Sequence, residues 1–247
     1  MFRFEGKVVL VTGAGRGIGA EIARTFIARG ATVAVNDYFP ERAEAVAAEI
    51  NDNGGKAIAI PFDVTRYETC ETAFARITEQ LGSVDIVVNN AGALPHGLNL
   101  ENFMDSNPAK WQEIVDVNMT GAMNCTHIAL KSMREKRWGR IINLSSDAAR
   151  VGNIGSSVYG AAKAGSEGLM RTLAKEHGRH GVTFNSLVLG LINTVPAELT
   201  VGAEKFFATR RIGKPEDIAA ACIYLASEEA EWVTGQSLAV NGGYIGA

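Results

Sequence analysis

The stretch Lys7-Val8-Val9-Leu10-Val11-Thr12-Gly13-Ala14-Gly15-Arg16-Gly17-Ile18-Gly19 decides the fold. A short β-branched apolar run reads as a buried strand, and the glycines after it let the chain turn sharply into a helix opening near Ile18. Glycine at such a turn also brings backbone N–H groups close to an anion at the positive end of a helix, as a pyrophosphate requires. A tight strand-to-helix turn can need glycine without any ligand, so the context has to decide. A second apolar run, Ala31 to Asn36, ends at Asp37, twenty residues beyond Gly17. A carboxylate there accepts hydrogen bonds from both hydroxyls of an adenosine ribose. Gly13, Gly15, Arg16, Gly17, Ile18, Gly19 and Asp37 are therefore candidate dinucleotide-binding residues.

Outward from this stretch, strand-like runs recur at about 7–12, 31–36, 56–61, 84–89, 140–145, 182–188 and 237–240. Helical periods fall at about 18–29, 41–52, 67–81, 108–136, 157–178 and 215–226, with a shorter one near 197–208. This alternation predicts parallel βαβ units. The expected architecture is a single doubly wound Rossmann-type α/β domain over 1–247, with a seven-stranded parallel sheet and helices on both faces. Two irregular stretches, 93–107 and 190–214, follow the carboxyl ends of the fourth and sixth strands, where ligands bind in open α/β sheets. The second is the expected substrate loop.

Composition excludes several functions. With 24 basic against 27 acidic residues there is no broad cationic footprint for nucleic acid. Cys70, Cys125 and Cys222 are too scattered for a disulfide framework or a CxxC site, and His96, His127, His177 and His180 form no HExxH pair. No metal is expected. Nowhere do 18 apolar residues run together and no export signal is seen, so a cytoplasmic protein with no membrane partner is expected. Glycine, at 27 of 247 residues, is in excess while proline is only 6, which points to individual turns and close approaches rather than low complexity.

The loop spacing Gly13-xxx-Gly17-x-Gly19 resembles that of the short-chain dehydrogenase/reductase family, and further landmarks appear in order. These are Asp63-Val64 at the end of the third strand, Asn89-Asn90-Ala91-Gly92 after the fourth, Asn118 in the long helix and Ser146 after the fifth strand. Tyr159 and Lys163 then form a YxxxK pair, Pro215-Glu216-Asp217 opens the penultimate helix, and the tail runs from Val233-Thr234-Gly235-Gln236 to Asn241-Gly242-Gly243-Tyr244. One departure is Leu189-Gly190, where the family commonly has Pro-Gly; Leu191-Ile192-Asn193-Thr194 keeps the pattern.

The resemblance implies an NAD(P)-dependent oxidoreductase that interconverts a secondary alcohol and a ketone. It implies Asn118, Ser146, Tyr159 and Lys163 as catalytic residues. Asp63, Val64, Asn90, Ala91, Gly92, Gly190, Ile192 and Thr194 would join the glycine loop, Asp37, Tyr159 and Lys163 in holding the cofactor. Tyr159 and Lys163, four apart on a predicted helix, share one face. A neighbouring ammonium favours the phenolate, so Tyr159 is expected to titrate below the ordinary phenol value of about 10. By the same resemblance Ser146 holds the substrate oxygen and Asn118 helps carry a water-linked proton relay. Asp37 favours NAD over NADP, while Arg16 offers a guanidinium to a 2′-phosphate.

For the substrate, short stretches around Ser146-Asp147 and Lys175–Gly181 tilt toward a 3-hydroxyacyl or 3-oxoacyl thioester of CoA or acyl carrier protein. Arg137 supports a carrier protein, and His180, where an arginine is common, weakens it. A free secondary or cyclic alcohol is the alternative, and a catalytically idle dinucleotide-binding protein a remote one. His96 and Phe103 are candidate pocket residues, and a homotetramer is expected, with Gly160, Gly165 and Gly168 at subunit contacts.

Overall fold

A computed structural model describes residues 2–92, 101–194, 198 and 200–244. Seven strands, β1 (Val8–Val11), β2 (Thr32–Val35), β3 (Ala57–Ala59), β4 (Ile86–Asn89), β5 (Gly139–Ser146), β6 (Val182–Leu189) and β7 (Ser237–Val240), pair in the order β3-β2-β1-β4-β5-β6-β7. Every pairing is parallel. The expected sheet is present, and each expected strand lies where the sequence places it to within a few residues.

The strands are apolar on both faces, as a sheet covered by helices on both sides requires. Along β1, Val9 and Val11 point into one core with Val33, Val35, Ile86, Val88, Ile142 and Leu144. Val8 and Leu10 point into the other, with Ala34, Val87, Ile141 and Phe184. Helices α1 (Gly17–Ile27), α2 (Pro40–Asp52) and α8 (Pro215–Ala226) cover the first face; α3 (Tyr67–Leu81), α5 (Gly121–Lys136) and α7 (Ser157–His177) cover the second. Pro40 and Pro215 each sit at a helix start, where the missing N–H costs nothing.

The long helix expected over 108–136 is interrupted. A 3-10 turn at Pro108–Lys110 leads into α4 (Trp111–Val115), then a π-turn at Asp116–Thr120, then α5. Within the π-turn the Asn118 side-chain amide donates to the Ile114 carbonyl at 2.9 Å, the acceptor its own backbone N–H would use in a regular α-helix. Of the shorter helix expected near 197–208, the described part is a 3-10 turn at Ala203–Phe206. A four-residue helix, α6 (Ala148–Val151), follows β5. Among the described residues no helix is long and apolar enough to cross a membrane.

The chain order reverses between β1 and β4. Their carboxyl ends diverge there, and the loops that follow them open a crevice.

Candidate active site

The crevice is built from Thr12 outward. Thr12 Oγ1 donates to the Val88 carbonyl at 3.3 Å and accepts from the N–H groups of Asn90 (3.1 Å) and Ala91 (3.0 Å). The Asn90 side chain donates to the carbonyls of Thr12 at 2.7 Å and Gly13 at 2.9 Å. Asn90, expected among the cofactor residues, thus uses its amide to clamp the glycine loop onto the end of β4. Gly13 turns there at φ 62°, and a Cβ on it would lie 2.9 Å from the Ala91 Cα, so no other residue fits.

Asn36 completes the clamp. Its Oδ1 accepts from the Gly13 N–H at 3.2 Å, and its Nδ2 donates to the carbonyls of Phe62 (3.0 Å) and Ile60 (3.2 Å), tying the loop to the end of β3. Asp37 is buried beside it. One carboxylate oxygen accepts from the Gly15 N–H and the other from the Phe39 N–H, each at 3.1 Å. Both oxygens are fixed, and each keeps a lone pair for a further donor.

A groove of about 620 Å³ runs along this surface, lined by Gly13, Arg16, Asp37, Asp63, Val64, Asn90, Ala91 and Gly92 among others. Asp63 Oδ1 accepts from the Thr65 N–H and hydroxyl at 2.9 and 2.7 Å, and the Val64 carbonyl accepts from Asn124 Nδ2 at 2.9 Å. Arg16 is exposed at the helix start, with Gly17 (φ 56°) next to it; Ile18 packs partly on the core and Gly19 is buried. The size, the bare backbone of the loop and the fixed carboxylate all suit an adenosine diphosphate moiety.

On the other side of the crevice, Ile192 is buried and bridges to Gly213, and the Thr194 methyl comes against Gly17. Gly190 packs on Asn241, where a Cβ would be 3.1 Å from the Asn241 Cα. Phe103 is half exposed and stacks on Trp111 at 5.0 Å between centroids. His96 lies outside the described residues.

The four candidate catalytic residues come from three elements and converge at the carboxyl end of the sheet. Ser146 closes β5, and its hydroxyl lies near enough to the Tyr159 phenol to favour the phenolate. Lys163, one turn beyond Tyr159 on α7, holds its Nζ 5.7 Å from the phenol ring centroid and donates to the Leu144 carbonyl at 2.8 Å. β4 ends opposite Asn143, so the Leu144 carbonyl lies beyond its reach and the ammonium takes that place. A Cβ placed on Gly92 would be 2.8 Å from Asn118 Oδ1 and 3.0 Å from Lys163 Nζ, so these two groups meet over that glycine. The π-turn is what turns Asn118 in.

The expectation that Lys163 draws the Tyr159 phenol down is corrected. Burial pushes the phenol up, and the Ser146 hydrogen bond only partly opposes it. Lys163 is itself pushed down by burial to about 8.

A dinucleotide groove at the switch point of a parallel sheet, opening onto this acid–base cluster, is the plan of nicotinamide-dependent oxidoreductases that act on hydroxyl and keto groups. The comparison with known proteins gives the family: the short chain dehydrogenase model matches residues 7–202, and the chain belongs to that family. It is 38% identical over 245 residues to the 3-oxoacyl-[acyl-carrier-protein] reductase of Vibrio harveyi, covering 97% of each chain. It is 37% identical to the acetoacetyl-CoA reductase of Rhizobium meliloti, covering 96% of this chain and 98% of that one. A crystal structure from Agrobacterium tumefaciens, provisionally described as a gluconate dehydrogenase, superposes with a TM-score of 0.94 at 29% identity, covering 100% of this chain and 98% of that chain.

Proposed function

We propose that Tyr159 is the general acid and base of this oxidoreductase and that the substrate is a 3-oxoacyl or 3-hydroxyacyl thioester of CoA or acyl carrier protein. The observation that carries the first part is that Ser146 and Lys163 both lie beside Tyr159 while Lys163 and Asn118 meet over Gly92. In the reductive direction Tyr159 Oη gives its proton to the substrate oxygen, which the Ser146 hydroxyl holds; in oxidation the proton returns. Lys163 and Asn118 face one another closely enough for a single water to link them, which would resupply the phenol. A bound nicotinamide would supply or accept the hydride. The thioester class rests on the names of the two sequence relatives and on the short resemblances around Ser146 and Lys175–Gly181.

The groove favours NAD. What supports this is the fixed carboxylate of Asp37 at the end of β2, which would repel a ribose 2′-phosphate bound beside it. Gly13, Gly15, Gly17 and Gly19 with Arg16 and Ile18 would cradle the pyrophosphate. Asp63, Val64, Ala91 and Gly92 would line the adenosine and ribose side, with Gly190, Ile192 and Thr194 beside the nicotinamide. A homotetramer in the cytoplasm is the expected working form, and exposed apolar side chains such as Met123, Leu238 and Trp232 supply surface for subunit contact.

The test follows absorbance of reduced nicotinamide with NADH and NADPH over acetoacetyl-CoA, alicyclic oxoacyl-CoA esters, free cyclic ketones, steroids and sugar acids. Turnover of the thioesters supports the proposal. Turnover confined to free compounds shifts it to the second reading, a dehydrogenase of a free alcohol, which the structural likeness to the Agrobacterium protein favours.

A further inference from the structure

Directly after Ser146 stands a buried acid that the proposed chemistry does not use. Asp147 is 3% exposed, and its Oδ1 accepts from Asn241 Nδ2 at 3.0 Å. Its Oδ2 is buried with no hydrogen-bond partner among the described residues. Burial pushes this carboxyl up, against the pull of Asn241 and Arg150. Leaving a carboxyl oxygen dry and unpaired costs free energy, so its position calls for a reason.

The reason lies in the turn that Asp147 makes. Its N–H donates to the Leu189 carbonyl at 2.9 Å, and its carbonyl accepts from the N–H groups of Arg150 and Val151 at 2.9 and 3.0 Å. With its side chain on Asn241, this one residue joins the carboxyl ends of β5, β6 and β7 to the start of α6. The turn swings the Ala148 N–H back onto Ser146 Oγ at 3.3 Å. A hydroxyl that accepts from one fixed side has its own proton directed elsewhere, and here the Tyr159 oxygen is the neighbour. The Asn241 anchor is firm, because Asn241 Oδ1 accepts from the Gly243 N–H at 3.1 Å and its backbone packs on Gly190.

We infer that Asp147 is a positioning residue, whose contact with Asn241 holds the turn that aims the Ser146 hydroxyl at Tyr159. This deepens the proposed function and rests on its assignment of Ser146 and Tyr159 to catalysis. The role belongs to the side-chain contact and not to the charge, so an amide at 147 that still accepts from Asn241 should serve.

The experiment compares the full chain with Asp147→Ala, Asp147→Asn, Asn241→Ala and the double alanine variant. It measures kcat on the active substrate, NADH affinity by fluorescence, and the 13Cζ resonance of Tyr159, assigned by its loss in Tyr159→Phe. Each single alanine variant should lose about 10-fold in kcat, as misplacement of a reacting partner does, with NADH affinity unchanged. The double variant should lose no more than either single one, because both remove the same contact. Asp147→Asn should recover most of the rate, and the Tyr159 resonance should move in the alanine variants and stay in place in Asp147→Asn. Full kcat with an unmoved resonance in the alanine variants, or losses that add, overturns the inference. If Asp147→Ala does not fold, Asn241→Ala carries the same comparison. If the wild type turns over none of the compounds, the proposed function fails, while the resonance still decides the role of Asp147.

Discussion

Lys163 is buried between α7 and the sheet and donates to the Leu144 carbonyl at 2.8 Å, so the folded chain keeps an ammonium where desolvation pushes its pKa down to about 8. The unfolded chain holds that proton up to the ordinary lysine value of about 10.4. Between these values the unfolded state binds more protons, and this group's contribution to stability therefore rises with pH. Its burial penalty is fully present below pH 8. Lys163→Met should raise the thermal midpoint at pH 7 while abolishing turnover, and the advantage over wild type should shrink as pH rises toward 10. Paired melting curves from pH 6 to 10 check this, and a Lys163→Met chain that is less stable at pH 7 would contradict it.

Tyr159→Phe removes only a hydroxyl from α7. Ser146 loses its neighbour on the phenol, while none of the residues lining the groove around Asp37 is changed. Turnover should fall about 10³-fold, the usual scale of a lost general acid, while NADH affinity stays within a factor of two. Retention of most of the rate would take the proton-transfer role away from Tyr159.

Asp37 accepts from the Gly15 and Phe39 N–H groups in addition to its proposed role toward a ribose. Asp37→Ala should therefore weaken NADH and also loosen the loop. Asp37→Asn keeps one of the two acceptors and removes the repulsion of a 2′-phosphate, with Arg16 and Arg42 already lining the groove. The ratio of kcat/KM for NADPH over NADH should rise about 10-fold or more in Asp37→Asn, the scale of removing one close like-charge contact. A wild type that already prefers NADPH would show instead that the two arginines dominate the site.

What was legible in the sequence was periodic or punctuated. β-branched runs gave the strands because a covered parallel sheet needs apolar residues on both faces, and Gly13, Asp37 and Tyr159–Lys163 sit at fixed offsets from strand or helix ends. Thr12 and Asn36 are not marked by either kind of signal. Both work through long-range hydrogen bonds, to β4 and to β3, and nothing local marks a threonine or an asparagine for that task. The doubled Asn89-Asn90 stands out in the sequence, but the clamp made by Asn90 depends on carbonyls 77 and 78 residues away and leaves no local mark. The π-turn at Asn118 was invisible to a period of 3.6. Gly160 and Gly165, expected at subunit contacts, already meet neighbours inside the chain: Cβ atoms there would lie 2.8 Å from the Ala148 carbonyl oxygen and 2.9 Å from Met119 Sδ. The i, i+4 spacing of Tyr159 and Lys163 shows a charge near the phenol but not how deeply both groups are desolvated.

At the far end of β5 from Ser146, Arg140 separates stability from chemistry. It is 2% exposed, with its guanidinium donating to the carbonyls of Gly139 (2.9 Å), Gly181 (3.3 Å) and Ser227 (3.3 Å) and lying over the Trp138 ring at 4.4 Å. Its carboxylate partner, Glu228, is exposed and 3.7 Å away, so the ion pair itself counts for little. The carbonyls matter more, since a buried acceptor that loses its donor costs about 1–3 kcal/mol. Arg140→Met refills most of the volume and leaves those acceptors bare. It should lower unfolding free energy by about 3 kcal/mol, with kcat per folded chain unchanged because the site lies a full strand away. Urea unfolding followed by tryptophan fluorescence, with activity measured on the same samples, reads both quantities. A loss of kcat without a loss of stability would mean that this pole of the sheet communicates with Ser146.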